Sequence, residues 1–221
     1  MEDKMIKLLF ASNNKGKYDE LVDNFAAVGI ELIFDGHLDL QEDAPTLEQN
    51  AILKAQCGAK QRNMLAIGED TGFYVRALDY FPGVHANRWM DGTWKDKRDA
   101  ILKMMEGKTD RVAYLINNFA VAKPDGTVLL TTKVKNAYEI CYEDHINPEA
   151  ETFGYNNILT MQGYYIGDLN KEQRNFLKHR GRIASEVLEV MKQNFTEQES
   201  LEYLSEKLMN EYSEAFKKLA E

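Results

Sequence analysis

Ile6-Lys7-Leu8-Leu9-Phe10-Ala11-Ser12-Asn13-Asn14-Lys15-Gly16-Lys17-Tyr18-Asp19-Glu20-Leu21-Val22-Asp23-Asn24-Phe25 decides how this chain begins to fold. The apolar run at 6–10 reads as a strand. Tyr18, Leu21, Val22 and Phe25 recur at helical spacing. A strand, a short polar loop and a helix start therefore follow one another. The loop gathers hydroxyl, amide and ammonium donors where a helix N-terminus exposes unpaired N–H groups, which suits a phosphate. It lacks the G-x-x-x-x-G-K-[ST] pattern of a Walker A loop. From local chemistry alone it is either a solvated strand-to-helix turn or a phosphate site.

Outward from this stretch, Glu31–Phe34 reads as a second strand, followed by an acidic loop through Glu42, Asp43 and Pro45. Thr46 can cap the next helix, with Glu48 in its first turn, where negative charge is favoured; this helix runs to about Arg62. Leu65-Ala66-Ile67 reads as a short buried strand ending in Gly68-Glu69-Asp70-Thr71-Gly72, with Phe73–Val75 extended and Phe81-Pro82-Gly83 a turn. A helix is expected over Lys97–Met105, stopped by Gly107. Two β-type runs, Val112–Ala122 and Thr127–Ile140, flank Pro124-Asp125-Gly126, a hairpin signal. Lys171–Lys192 reads as a helix containing Gly181. Strands alternating with helices, plus a long hairpin, imply an α/β fold with a mixed sheet.

At 221 residues and 44% apolar composition, the chain can bury one large core or a domain with lobes. Its formal net charge of −9 argues against a generic binder of nucleic-acid backbone, although a nucleotide site needs only local cations. Cys57 and Cys141 give neither a disulfide framework nor zinc spacing and read as core thiols. No charged-then-apolar leader or membrane-length apolar run is present, so the cytoplasm is the expected location and no membrane partner is expected. Residues 195–221 form an amphipathic pattern, with Leu201, Leu204, Leu208, Tyr212 and Phe216 at helical steps. That C-terminal helix either packs back on the 1–194 body or makes a dimer contact.

The adjacent acids Glu69 and Asp70, expected at a strand end, suit Mg²⁺ or the orientation of an attacking water; a capped turn with two solvated acids is the plainer reading. Lys54 lies mid-helix, where a lysine is ordinarily a surface residue; its functional role would be as a phosphate partner one turn from Asn50. Lys178-His179-Arg180-Gly181 combines a planar ring and a bidentate cation that can grip a base edge or a phosphate, or forms a solvated basic turn. Phe153 and Tyr155 around Gly154 either stack on a flat ligand or belong to the core. His37, His85 and His145 lack metal spacing.

In order along the chain, Ser12–Lys17, Glu48-Gln49-Asn50-Ala51-Ile52-Leu53-Lys54-Ala55, Gly68–Gly72, Phe81–Trp89, Phe153-Gly154-Tyr155 and His179-Arg180-Gly181 form a set. Through it the chain resembles the inosine triphosphate pyrophosphatase family, the Ham1-like house-cleaning nucleoside triphosphate pyrophosphatases, over residues 6 to about 192. The resemblance implies an elongated α/β fold, a mixed sheet with flanking helices forming two lobes around a central cleft. It also implies a homodimer and Mg²⁺-dependent hydrolysis of a nucleoside triphosphate, such as ITP, dITP or XTP, to monophosphate and pyrophosphate.

Carried over by position, Ser12, Asn13, Lys15 and Lys17 would hold the triphosphate with Lys54 and Thr71 beside it, and Asp70 would be the catalytic acid. Glu69 and Asp70 replace the family's usual Asp-Asp pair as metal ligands, and Glu42 or Asp43 is the further metal-associated acid. Phe153, Tyr155, His179 and Arg180 would contact the base. The departures fall at the base end: Asn156-Asn157 stands where the family has Asp-Pro, Arg174 replaces a lysine and Lys178 a serine. An Asp-to-Asn change adds a donor to an acceptor-only group, so these departures from the family pattern lead us to expect an altered or relaxed base preference. A nucleotide-binding sensor or subunit without turnover is the alternative function.

Overall fold

The computed structural model describes residues 6–147, 154–177 and 181–194. The opening stretch forms β1 (Ile6–Ala11) and α1 (Lys15–Ala26). Asn14 caps α1, its side chain accepting from the Lys17 backbone N–H, one of the donors a helix start leaves unpaired. β2 (Ile30–Phe34) lies parallel to β1. α2 (Leu47–Arg62), capped by Thr46 and closed by Asn63 in the left-handed conformation, delivers β3 (Ala66–Val75) parallel to the other edge of β1. The chain thus winds from β1 in opposite directions, and right-handed crossovers put α1 and α2 on opposite faces of the sheet.

Beyond β3 the sheet is antiparallel. β4 (Pro82–Gly83) touches the end of β3, and α3 (Trp94–Met104) leads into the hairpin of β5 (Val112–Ala122) and β6 (Val128–Ile140). β7 (Leu159–Met161) and β8 (Tyr164–Tyr165) complete the order β2-β1-β3-β5-β6-β7-β8. α4 (Lys171–Leu177) follows, and 181–194 is helical and is called α5.

Two cores share the long strands. In the first, Leu8, Phe10, Ile67, Phe119 and Val121 pack against Leu21 and Phe25 of α1 and Ile183, Val187 and Met191 of α5. In the second, Phe73, Val75, Ala113, Tyr138 and Ile140 pack against Ile101, Met105, Tyr155, Ile158 and Ile166. On the face opposite α1, α2 presents Ala51, Ala55 and Ala59 to the sheet. Small residues are required there. A Cβ on Gly68 would fall 2.2 Å from the Ala51 carbonyl oxygen, and one on Gly58 would fall 2.6 Å from the Ala11 Cβ.

The expected mixed α/β sheet is present, with three local corrections. The runs expected at 65–67 and 73–75 belong, but for Leu65, to one ten-residue strand, Ala66–Val75, so Glu69 and Asp70 stand mid-strand rather than at a strand end. They are buried rather than solvated. α3 starts at Trp94, three residues before the expected Lys97, because Thr93 and Asp96 form a reciprocal capping box. Cys57 is half-buried, its thiol on the Asp39 carbonyl, whereas Cys141 is buried as expected. The C-terminal segment 195–221 lies outside the described residues.

Candidate active site

β1 ends at Ala11, opposite Gly68, while β3 continues to Val75 and meets β4 only at Phe73 and Tyr74. Residues 69–72 therefore have β5 along one edge and no described strand along the other. This gap lies at the carboxyl end of β1, where successive crossovers diverge, the place where open α/β sheets bind ligands. A cavity of about 560 Å³ occupies it, within the range of small-molecule sites. Ser12, Asn13, Lys15, Lys17, Glu42 and Lys54 line one end; Phe73, Trp94, Leu115, Tyr138, Tyr155 and Asn156 line the other.

Lys54 is not the surface residue that its place mid-helix suggests: it is 2% exposed. α2 lies so close to the sheet that the side chain must run along β3 into the gap. There Nζ donates to the Glu69 carbonyl at 3.1 Å and to Asp70 Oδ1 at 3.0 Å, and pairs with Glu42 Oε1 at 2.9 Å. Three acceptors match the three donors of an ammonium. The other oxygen of Asp70 accepts from Asn50 Nδ2 at 3.0 Å, and Asn50 Oδ1 accepts from the Ala44 N–H at 2.9 Å. One buried amide thus ties Asp70 to the acidic loop.

Successive strand residues face opposite ways, so Glu69 shares its face with Thr71 rather than with Asp70, although at the open edge both acids line the cavity. Glu69 Oε1 accepts from Asn117 Nδ2 at 2.7 Å and from the Thr71 hydroxyl at 3.1 Å. Glu69 Oε2 is buried and has no hydrogen-bond partner among the described residues.

At the N-terminus of α1, buried Ser12 accepts from the Asn14 N–H. Asn13 lines the cavity, but its amide is committed to Leu38, donating to the carbonyl at 2.8 Å and accepting from the N–H at 3.0 Å. Lys15 is exposed and pairs with Asp19. Lys17 is half-buried. Burial holds its ammonium below the ordinary lysine pKa and the Lys54 charge lowers it further, against the opposing pull of Glu69, Asp70 and Glu42. Among the described residues no carboxylate closes to ion-pair distance of it.

Of the two candidate acids in the loop, both exposed, Glu42 lines the cavity and Asp43 does not. Desolvation pushes the Glu42 carboxyl up, but the charge and hydrogen bond of Lys54, with Lys17 and Arg88, hold it below the usual carboxylate range. Arg88 also donates to the Glu42 backbone carbonyl and to His85 Nδ1, bracing the loop over the cleft. Asn50, Arg88 and Asn117 were not among the expected site residues. Asn50 and Arg88 lie within motifs visible in the sequence, but nothing local marks Asn117.

At the far end, Tyr155 is a core residue. It stacks on Phe73 at 4.2 Å, meets Trp94 edge-on, accepts from Trp89 Nε1 and donates to the Ala86 carbonyl at 2.7 Å. Burial pushes its phenol up to about 12, with the Trp89 hydrogen bond opposing. Asn156 is buried and lines the cavity. Arg174 does not line it; its guanidinium donates to the Leu169 carbonyl. Phe153, Lys178, His179 and Arg180 lie outside the described residues. Among the described residues no cluster of three or more His, Cys, Asp or Glu side chains is already assembled for a metal.

The Ham1 family model matches residues 8–190. A dITP/XTP pyrophosphatase of Methanosarcina acetivorans is 35% identical over 187 residues, covering 84% of this chain and 97% of that protein. One from Desulforamulus reducens is 30% identical, covering 88% and 100%. Among solved structures, the Staphylococcus aureus Ham1 protein aligns with a TM-score of 0.69 at 26% identity over 85% of this chain and 98% of its own. A HAM1 protein from Coxiella burnetii gives 0.72 at 24% identity over 86% and 100%, a likeness of fold. A match that spans the gap in the sheet and both cores leaves one assignment: the chain belongs to the Ham1 family.

Proposed function

We propose that this chain hydrolyses a (deoxy)nucleoside triphosphate to the monophosphate and pyrophosphate, acting on non-standard purine nucleotides such as dITP, ITP and XTP with an altered base preference. The observation that carries this reading is the meeting of Lys17, the α1 N-terminus and the Lys54–Asp70–Asn50 network at the open edge of β3. Among the described residues Lys17 has no direct counter-ion, and the N–H groups opening α1 add positive field, so a polyphosphate supplies what both lack. Phosphoryl transfer asks a protein mainly for alignment and charge neutralisation. Asp70 is held by Lys54 and Asn50 in one orientation, and each of its oxygens keeps a second lone pair for the proton of an attacking water. The names of the relatives support this reading of the substrate.

Mg²⁺ is the proposed cofactor. The buried Glu69 Oε2, without a partner among the described residues, fits a hard cation, and Glu69 and Asp70, with Glu42 at the rim, would hold it. When bound it would neutralise charge on the phosphate oxygens. We place the protein in the cytoplasm as a homodimer, with the nucleotide as its ligand and no nucleic-acid polymer or membrane as partner. Among the described residues no helix is long and apolar enough to cross a membrane.

A panel of ITP, dITP, XTP, dUTP and the four standard triphosphates with Mg²⁺ and pyrophosphate detection tests the proposal. Pyrophosphate and monophosphate in equal amounts are expected; release of orthophosphate instead would overturn it. Binding without any release describes the sensor. A strong ITP/XTP preference defeats the altered base preference alone.

A further inference from the structure

We propose that Asn117 is a positioning residue that, with Thr71, locks one oxygen of Glu69 and so presents the other, Oε2, to a divalent cation in the cleft. This rests on the reading of the cleft as a metal-dependent nucleotide site. Asn117 stands on β5 directly opposite Thr71 in the ladder. Its Nδ2 group donates twice, to Glu69 Oε1 at 2.7 Å and to Thr71 Oγ1 at 2.8 Å. The Thr71 hydroxyl, having accepted one proton, donates its own to the same Oε1 at 3.1 Å. The three groups close a ring, and both donors that reach the carboxylate are spent on one oxygen.

Among the described residues Oε2 is left without a donor, although Glu69 is fully buried. A desolvated carboxylate oxygen in that state is costly, and such an orphan in a native site calls for an explanation. The described cations do not provide one. Lys54 is saturated by Asp70, Glu42 and a carbonyl. Lys17 feels Glu69 more than any other carboxylate but stays beyond ion-pair distance. A hard cation taking one glutamate oxygen, the other fixed by hydrogen bonds, is the ordinary arrangement of a braced metal-ligating carboxylate. The glutamate itself makes bracing necessary, since its side chain carries one more free torsion than an aspartate would.

Mn²⁺ titration of the full-length protein, followed by the electron paramagnetic resonance signal of the free ion, tests this. The protein is first saturated with a hydrolysis-resistant triphosphate of inosine. Folded Asn117→Ala and Asn117→Leu should bind Mn²⁺ about tenfold more weakly, and Thr71→Ser, which keeps the hydroxyl, should stay within about twofold of wild type. Unchanged Mn²⁺ affinity in either folded Asn117 variant overturns the proposal, and so does a loss of turnover that leaves Mn²⁺ affinity intact. If neither Asn117 variant folds, Thr71→Val decides by the same criterion. Pyrophosphate release by the wild type is measured alongside. Its absence would defeat the proposed reaction, while the Mn²⁺ titration still judges the clamp.

Discussion

Replacing Lys54 by alanine removes one cation from Asp70, Glu42 and the Glu69 carbonyl together. Asp70 and the carbonyl are both buried and lose their charge partner at once, so a loss of about 3 kcal/mol is expected. Urea denaturation measures it, and a loss comparable to that of an exposed lysine would show the network to be slack. Asp70→Asn keeps the shape and one acceptor. It should lower kcat by at least about a hundredfold while nucleotide binding stays measurable by calorimetry. A near-normal kcat refutes the role given to Asp70.

Lys17 predicts a pH effect of definite sign. Its lowered pKa in the folded state disfavours the ammonium, so this group makes stability rise as pH climbs through the lowered value towards that of an ordinary lysine. A bound polyphosphate favours the ammonium, so binding takes up protons in that window and weakens as pH rises. Calorimetry in buffers of different ionisation enthalpy should detect the uptake in wild type and lose it in Lys17→Met. Lys17, Lys54 and Asp70 were legible because each lies in a short motif of recognisable chemistry. Asn117 was not, because its partner Glu69 is 48 positions away and the ladder alone brings them together.

The same distinction holds for whole elements. The β5–β6 hairpin could be read to within one residue because Pro124-Asp125-Gly126 and the flanking β-type runs are local signals. β3 was broken in two because Gly68 and Gly72 resemble turn residues. Their actual cause is tertiary: α2 backbone presses on Gly68, and the Tyr74 ring lies 2.5 Å from where a Gly72 Cβ would be. No local pattern records that pressure. Gly68→Ala should therefore push α2 off the sheet, at a cost of about 3 kcal/mol, and lower activity with it by moving Lys54. Wild-type stability and kcat in that variant would mean that the close approach is dispensable.

At the scale of the molecule, β3, β5 and β6 run through both cores, so neither lobe can melt without breaking the ladder of the other. Both tryptophans, Trp89 and Trp94, lie against the second core, whereas α1, α2 and α5 cover the sheet around the first. Tryptophan fluorescence and far-UV circular dichroism should accordingly report coincident unfolding transitions. Separated midpoints would show the lobes to be independent. The open edge of β3 has a consequence of another kind. An unpaired strand edge invites a foreign strand to add to it and so seeds aggregation. Here the opening is confined to residues 69–72 between β1 and β4, long enough to admit a ligand and too short to template a ladder. The two neighbouring strands thus act as stops, and trimming either would lengthen the bare edge towards one that a foreign strand could pair with.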